Sequence, residues 1–138
     1  MFGGTYMFNV HGRWEYSIES PTIYIKVIGC FNREGIQAFT KDVFADLAKL
    51  PPQSIEYAVI NLAEFELVTA DSLAVATEYF HGVKARGYKR VVYIQASAVA
   101  KSLLEHIWRG SDMDIQFYDD IPGYLAKHPE HLYIKTWL

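Results

Sequence analysis

Apolar and polar residues alternate along Trp14-Glu-Tyr-Ser-Ile-Glu19, the period of a half-exposed strand. Ser20-Pro21-Thr22 is turn chemistry, and Ile23-Tyr-Ile-Lys-Val-Ile28 reads as the returning arm of a hairpin. Residues 5–28 are thus expected to hold two or three strands, with Gly29 to Arg33 a loop and Asn32 a candidate helix cap. Ile36, Phe39, Val43, Leu47 and Leu50 then recur every three or four positions and predict an amphipathic helix, which Pro51-Pro52 must end. Tyr57 to Leu62 is a short, β-branched apolar run, the signature of a strand buried on both faces. Ala63 to Thr69 reads as a loop, after which Thr69 or Asp71 can cap a helix with the stripe Leu73, Ala76, Phe80 and Val83, stopping at Gly87. Arg90 to Gln95 is the next strand. Ser97 caps a helix whose face is Val99, Leu103 and Ile107, closing at Gly110. Asp114 to Tyr118 is a last strand, Ile121 to Lys127 a last short helix, and His131 to Leu138 an apolar tail. The order predicts one α/β domain over residues 1–138. Its mixed sheet is opened by an antiparallel hairpin and carries about four helices, with right-handed crossovers between parallel strands.

Two offset stripes sharpen this picture. Ser72, Val75 and Tyr79 lie beside the Leu73–Phe80 stripe, and Leu104 and Trp108 lie beside Val99–Ile107. Each marks either a wide buried face or an exposed apolar patch. Composition points the same way, because 15% of the 138 residues are aromatic, too many for a small domain to hide easily. Some apolar surface is expected to serve a partner, a second copy or a ligand.

Charge and motifs narrow the function. A net charge of −3 argues against general attraction to nucleic acid. The opening Met1 to Phe8 lacks the basic start and long apolar core of a signal peptide, and no stretch approaches the ~20 apolar residues of a membrane span. The single cysteine, Cys30, falls in an apolar strand and is expected to be structural, so a reducing cytoplasm fits. No serine sits in a nucleophile elbow, and neither a phosphate loop nor a dinucleotide fingerprint is present, so neither catalytic residues nor a cofactor is expected. Glu64, Glu66 and Asp71 could pair as carboxylates but read first as surface and capping groups, and Asp112, Asp114, Asp119 and Asp120 as a solvated face. His128 and His131 are three apart, yet Pro129 and the charged neighbours predict a solvated tail rather than a metal site.

Taken together, Val59-Ile-Asn-Leu62, the loop after it, Leu73-Ala-Val75, Gly87 and Ala96 to Leu104 resemble the STAS domain, the fold of bacterial anti-sigma factor antagonists and of sulfate-transporter tails. The resemblance covers roughly residues 8–127 and leaves 128–138 as a tail. It implies a non-catalytic regulatory domain that binds a protein partner near the start of the second helix, where the family carries an Asp-Ser-Ser-Gly-like turn phosphorylated by a kinase. Without gaps, that turn falls on Thr69, Ala70, Asp71 and Ser72, so the usual acceptor is an alanine and the standard switch is not expected. A two-residue insertion would instead set Asp71-Ser72 on the Asp-Ser pair. The implied partner face is Thr69, Asp71, Ser72, Val75 and Tyr79, with Ser72 or Thr69 the residues a kinase could modify. An alternative from another class is a small apolar ligand or lipid, with membrane-surface association, in a pocket built from Phe31, Phe39, Phe44, Phe65 and Tyr79. Finally, the apolar tail can pack back on its own subunit or lie at or near a homodimer interface that could also include Trp14, and the homodimer is the expectation.

Overall fold

The computed structural model describes residues 10–138. A hairpin of β1 (Arg13–Glu19) and β2 (Thr22–Phe31) opens the fold, paired from Arg13↔Ile28 to Glu19↔Thr22. Helix α1 (Arg33–Leu47) crosses to β3 (Tyr57–Asn61), and a short β4 (Phe65–Val68) leads into α2 (Ala70–Ala85). Then come β5 (Arg90–Ile94), α3 (Ala98–Ile107), β6 (Asp114–Tyr118), α4 (Ile121–Lys127) and a closing 3₁₀ helix over Leu132–Trp137. The six strands form one mixed sheet in the order β1-β2-β3-β5-β6, with β4 also parallel to β2. Among the described residues, only the opening hairpin is antiparallel.

The strand order explains the layering. From β2 onward, each crossover adds its strand on the same side, and crossovers of one hand then set their helices on one face. That face buries Ile23, Ile25, Ala58, Ile60, Val91 and Tyr93 against Phe39 and Val43 of α1 and Leu104 and Ile107 of α3. The alternate residues of the same strands, Tyr24, Val59, Val92 and Ile94, point to the other face. There they meet Ile121 and Tyr124 of α4 and Ile134 of the closing helix. Both faces are covered, which is why the central strands read as unbroken apolar runs.

Caps fix where the helices begin. The Asn32 side chain accepts from the Gly35 amide at 2.8 Å and from the His11 amide at 3.0 Å, starting α1. Ser97 accepts from Ala100 at 3.1 Å to start α3, and Asp120 from Gly123 at 2.7 Å to start α4. Asp120 is therefore a cap, and Asp114 is paired with Arg90 at 2.8 Å, so the acidic end is more than a solvated face.

Several expectations need correction. β2 runs through Phe31 instead of ending at Ile28, and Cys30 on it is exposed rather than packed. The segment read as a loop before α2 contains β4. Helix α2 begins at Ala70, which puts Thr69 at the cap position and Asp71 inside the first turn. On α3 the core face is Ala100, Leu104 and Ile107 with Trp108 following, while Val99 is 63% exposed. The second stripe on α3 is thus the core itself, and the buried Trp108 indole donates to the Tyr93 hydroxyl at 3.0 Å.

The tail and Trp14 are also accounted for within one chain. Ile134 has no exposed surface, and Tyr133 and Trp137 pack their rings on Tyr24 at 5.2 and 6.4 Å. The tail covers the second face of its own sheet. Trp14 donates from its indole to Asp42 at 2.7 Å and lies against Phe39 at 5.7 Å.

Candidate apolar cavity at the strand ends

The geometry that makes a site is a detour after β3. Asn61, buried at the end of β3, accepts from the Ala63 amide at 2.9 Å and turns the chain. Phe65 donates back to the Leu62 carbonyl at 3.2 Å, completing the turn. The chain then settles as β4 alongside the last residues of β2, where Gly29 donates to Glu64 at 2.8 Å and Thr69 to Phe31 at 2.9 Å. Lys26 locks the turn with a 2.6 Å ion pair to Glu64, which holds the Glu64 carboxyl below its usual range. Two strands in succession thus share one edge of β2, and Phe65 and Val68 turn inward beneath the helices.

Between these strand ends and the helices lies a cavity of about 100 Å³. Phe31 and Phe65 wall its strand side, with ring centres 6.3 Å apart. Phe39 of α1 stands edge-on to Phe31 at 6.4 Å and lies 5.8 Å from Tyr79 of α2. Ala76, Ala100 and Leu103 supply the helix side. The small side chains of Ala76 and Ala100 leave the space that larger residues would fill. Burial pushes the Tyr79 hydroxyl well above the usual phenol range, so it stays neutral at any ordinary pH.

One end of the cavity is braced by a close backbone approach. A side chain at Gly12 would meet the Phe31 ring at 2.7 Å, and one at Gly35 would meet the His11 carbonyl oxygen at 1.9 Å. Gly12 also holds a φ of +106°, which other residues adopt only with strain. These two glycines let residues 11–12 lie across the start of α1, behind Phe31.

Four of the aromatics expected to form a pocket, Phe31, Phe39, Phe65 and Tyr79, therefore converge on one cavity. Phe44 does not reach it. It stacks on the outer side of Tyr79 at 5.5 Å, beneath the Arg86 guanidinium at 3.7 Å. The expected partner face divides more sharply. Val75 and Tyr79 border an open groove between α1 and α2 together with Phe44 and Arg86. Ser72, by contrast, has no exposed surface, and its hydroxyl donates to the Thr69 carbonyl at 2.7 Å. It is therefore buried rather than on an exposed face. Thr69 is half-buried, and the Asp71 side chain lies outside those the structure describes. Glu66 is exposed on β4, with Glu64 already paired. Sequence reasoning did not assign Ala76, Tyr93, Ala100, Leu103 and Leu104 to a pocket; Ala76, Leu103 and Leu104 fell on helical stripes, whereas Ala100 had no such signal.

A second cluster sits on the opposite face. His128 and His131 are half-buried rather than solvated, their rings 5.3 Å apart and near parallel, with Tyr124 in contact with both. Burial holds the His131 imidazole below its usual pKa. No helix among the described residues is long and apolar enough to cross a membrane.

This combination of hairpin, parallel strands and α2 start has counterparts among solved structures. The anti-sigma factor antagonist SpoIIAA in its unphosphorylated form superposes with a TM-score of 0.61 at 7% identity, over 86% of this chain and 99% of that one. The fold is SpoIIAA-like. An uncharacterized protein of the DUF3478 family from Shewanella loihica PV-4, itself described as having a SpoIIAA-like fold, gives the same TM-score at 15% identity, over 87% and 95% of the two chains. No protein-family model and no curated protein matches the sequence. The expected STAS-like α/β fold is therefore present at a sequence distance where only the fold carries over.

Proposed function

We propose that this chain is a non-catalytic binding domain that takes a small apolar ligand between its sheet and helices. The carrying observation is the cavity of about 100 Å³ with Phe31, Phe39, Phe65 and Tyr79 converging on it. An apolar void is costly to keep empty, roughly 24 cal/mol per Å³, or about 2 kcal/mol here. Its size is below the ~150 Å³ of an apolar cavity that accepts benzene. The ligand is therefore a short hydrocarbon-like group or the end of a longer chain. A native mass spectrum and thermal unfolding against a series of small aliphatic and aromatic compounds test this directly. A raised midpoint that disappears in Ala76→Phe, which occupies the cavity, supports the reading. No shift with any compound, together with a spectrum free of adducts, overturns it.

A second reading has its own observation. The SpoIIAA-like fold supports regulatory docking of a protein partner, and the α1–α2 groove bordered by Val75 and Tyr79 is the surface available near the start of α2. In the gap-free alignment Ala70 takes the place of the family's phosphorylated serine, and Ser72, the acceptor in the alternative alignment, is buried, so this docking would run without the phosphoserine switch. Sequence pattern ranks docking first. Burial of Ser72 and the cavity beneath Tyr79 support the ligand reading.

A further inference from the structure

We propose that His128, Glu130 and His131 form a binding site for a divalent transition metal of the zinc class. The three residues occupy the turn between α4 and the closing 3₁₀ helix, where the His131 amide donates to the His128 carbonyl at 3.1 Å. That turn folds the two imidazoles back toward one carboxylate. Glu130 Oε2 lies 3.7 Å from His128 Nδ1 and 3.5 Å from His131 Nε2, and one ligand atom from each residue falls within 4.8 Å of the others. Ligand atoms bound to one tetrahedral zinc at ~2.0–2.1 Å lie roughly 3.3 Å from one another, so the two histidine–glutamate separations need little contraction to hold an ion. Two nitrogens and one oxygen are the donor types zinc accepts, and the fourth position is left to water.

The surroundings favour a ligand role for His131. Its Nδ1 is 2.7 Å from the hydroxyl of Tyr124, a residue 1% exposed, and Tyr24 meets the ring edge-on at 5.7 Å. With Nδ1 held by that hydroxyl, Nε2 is the nitrogen that faces Glu130 and is left for an ion. Tyr124 is thus a positioning residue that sets the ring orientation. His128 is stacked on Tyr124 at 4.7 Å, and the two imidazole planes differ by only 17°, so coordination of one ion by both rings requires the His128 ring to turn about its Cβ–Cγ bond. Glu130 is 63% exposed at the side chain and provides the route of entry.

Calorimetric titration of the full chain with zinc chloride alone, in a non-chelating buffer, is the test, with cobalt(II) absorbance as the geometric readout. One ion per chain is expected, with a raised unfolding midpoint because the metal ties α4 to the closing helix. Glu130→Gln and Tyr124→Phe should each weaken binding by about ten- to hundredfold while circular dichroism is unchanged. His128→Gln combined with His131→Gln should abolish it. No binding below millimolar zinc, or undiminished binding in the double histidine variant, overturns the proposal, the latter assigning the ion to the remaining histidines.

Discussion

At the scale of single residues, burial decides what each group can do. Ser72 and Tyr79 share a stripe in the sequence, yet one hydroxyl is closed off against the Thr69 carbonyl while the other side chain walls a cavity. A helical stripe says which residues are neighbours, and the depth of the neighbouring α1 sets how far each is buried. Glu64 offers the cleanest test of local electrostatics, because its carboxyl is held below the ordinary value chiefly by the hydrogen bond from Lys26. A depressed carboxyl pKa stabilises the fold above its unfolded value, near 4.5, and that contribution is lost as pH falls through the lower folded value. Glu64→Gln should therefore lower the unfolding midpoint near neutrality, and the gap from the parent should close as pH drops below 4.5. A gap that is constant from pH 7 to pH 3 would contradict the assignment.

At the scale of elements, what was legible followed periodicity and what was not followed context. The hairpin, α1, the central strands and both Asn32 and Ser97 caps are written in short-range patterns that burial then reinforces. β4 was not legible, because Phe65 to Val68 is too short to alternate twice and its pairing depends on where β2 ends. The one-position shift of the α3 face has a similar origin. Val99 and Ala100 are both apolar, and only the sheet beneath shows which one faces inward. Four of the five aromatics expected at a pocket line the cavity and were legible as an excess of rings, whereas the space between them depends on the small size of Ala76 and Ala100, which no periodicity marks. The Asn32 cap joins two elements, since the same oxygen accepts from Gly35 and from His11. Asn32→Ala should cost about 1–2 kcal/mol in denaturant unfolding. It should also loosen residues 11–12 behind Phe31, read as faster amide exchange at His11. Unchanged exchange there would separate the cap from the cavity wall.

At the scale of the whole molecule, the two sheet faces divide the labour. One face carries the cavity beneath α1, α2 and α3, and the other is closed by α4 and the tail around Tyr24, Val59 and Val92. Of the two solutions open to the apolar tail, its own subunit or a second copy, the structure shows packing on the sheet's own second face. Ile134 is fully buried there, so Ile134→Ala should cost about 2–5 kcal/mol, through lost transfer energy and a cavity that α4 cannot collapse to fill. Trp137 gives the contrast. Its indole nitrogen is buried with no acceptor among the described residues, while its ring packs on Tyr24 and Tyr133. Trp137→Phe keeps an aromatic ring there and removes an unpaired donor whose burial costs about 1–3 kcal/mol, so stability should be unchanged or higher. Denaturant unfolding of both variants, with sedimentation to record the assembly state, distinguishes the arrangements. If the tail serves its own sheet, Ile134→Ala lowers stability independently of protein concentration. A loss that vanishes at high concentration would return the tail to an interface between copies.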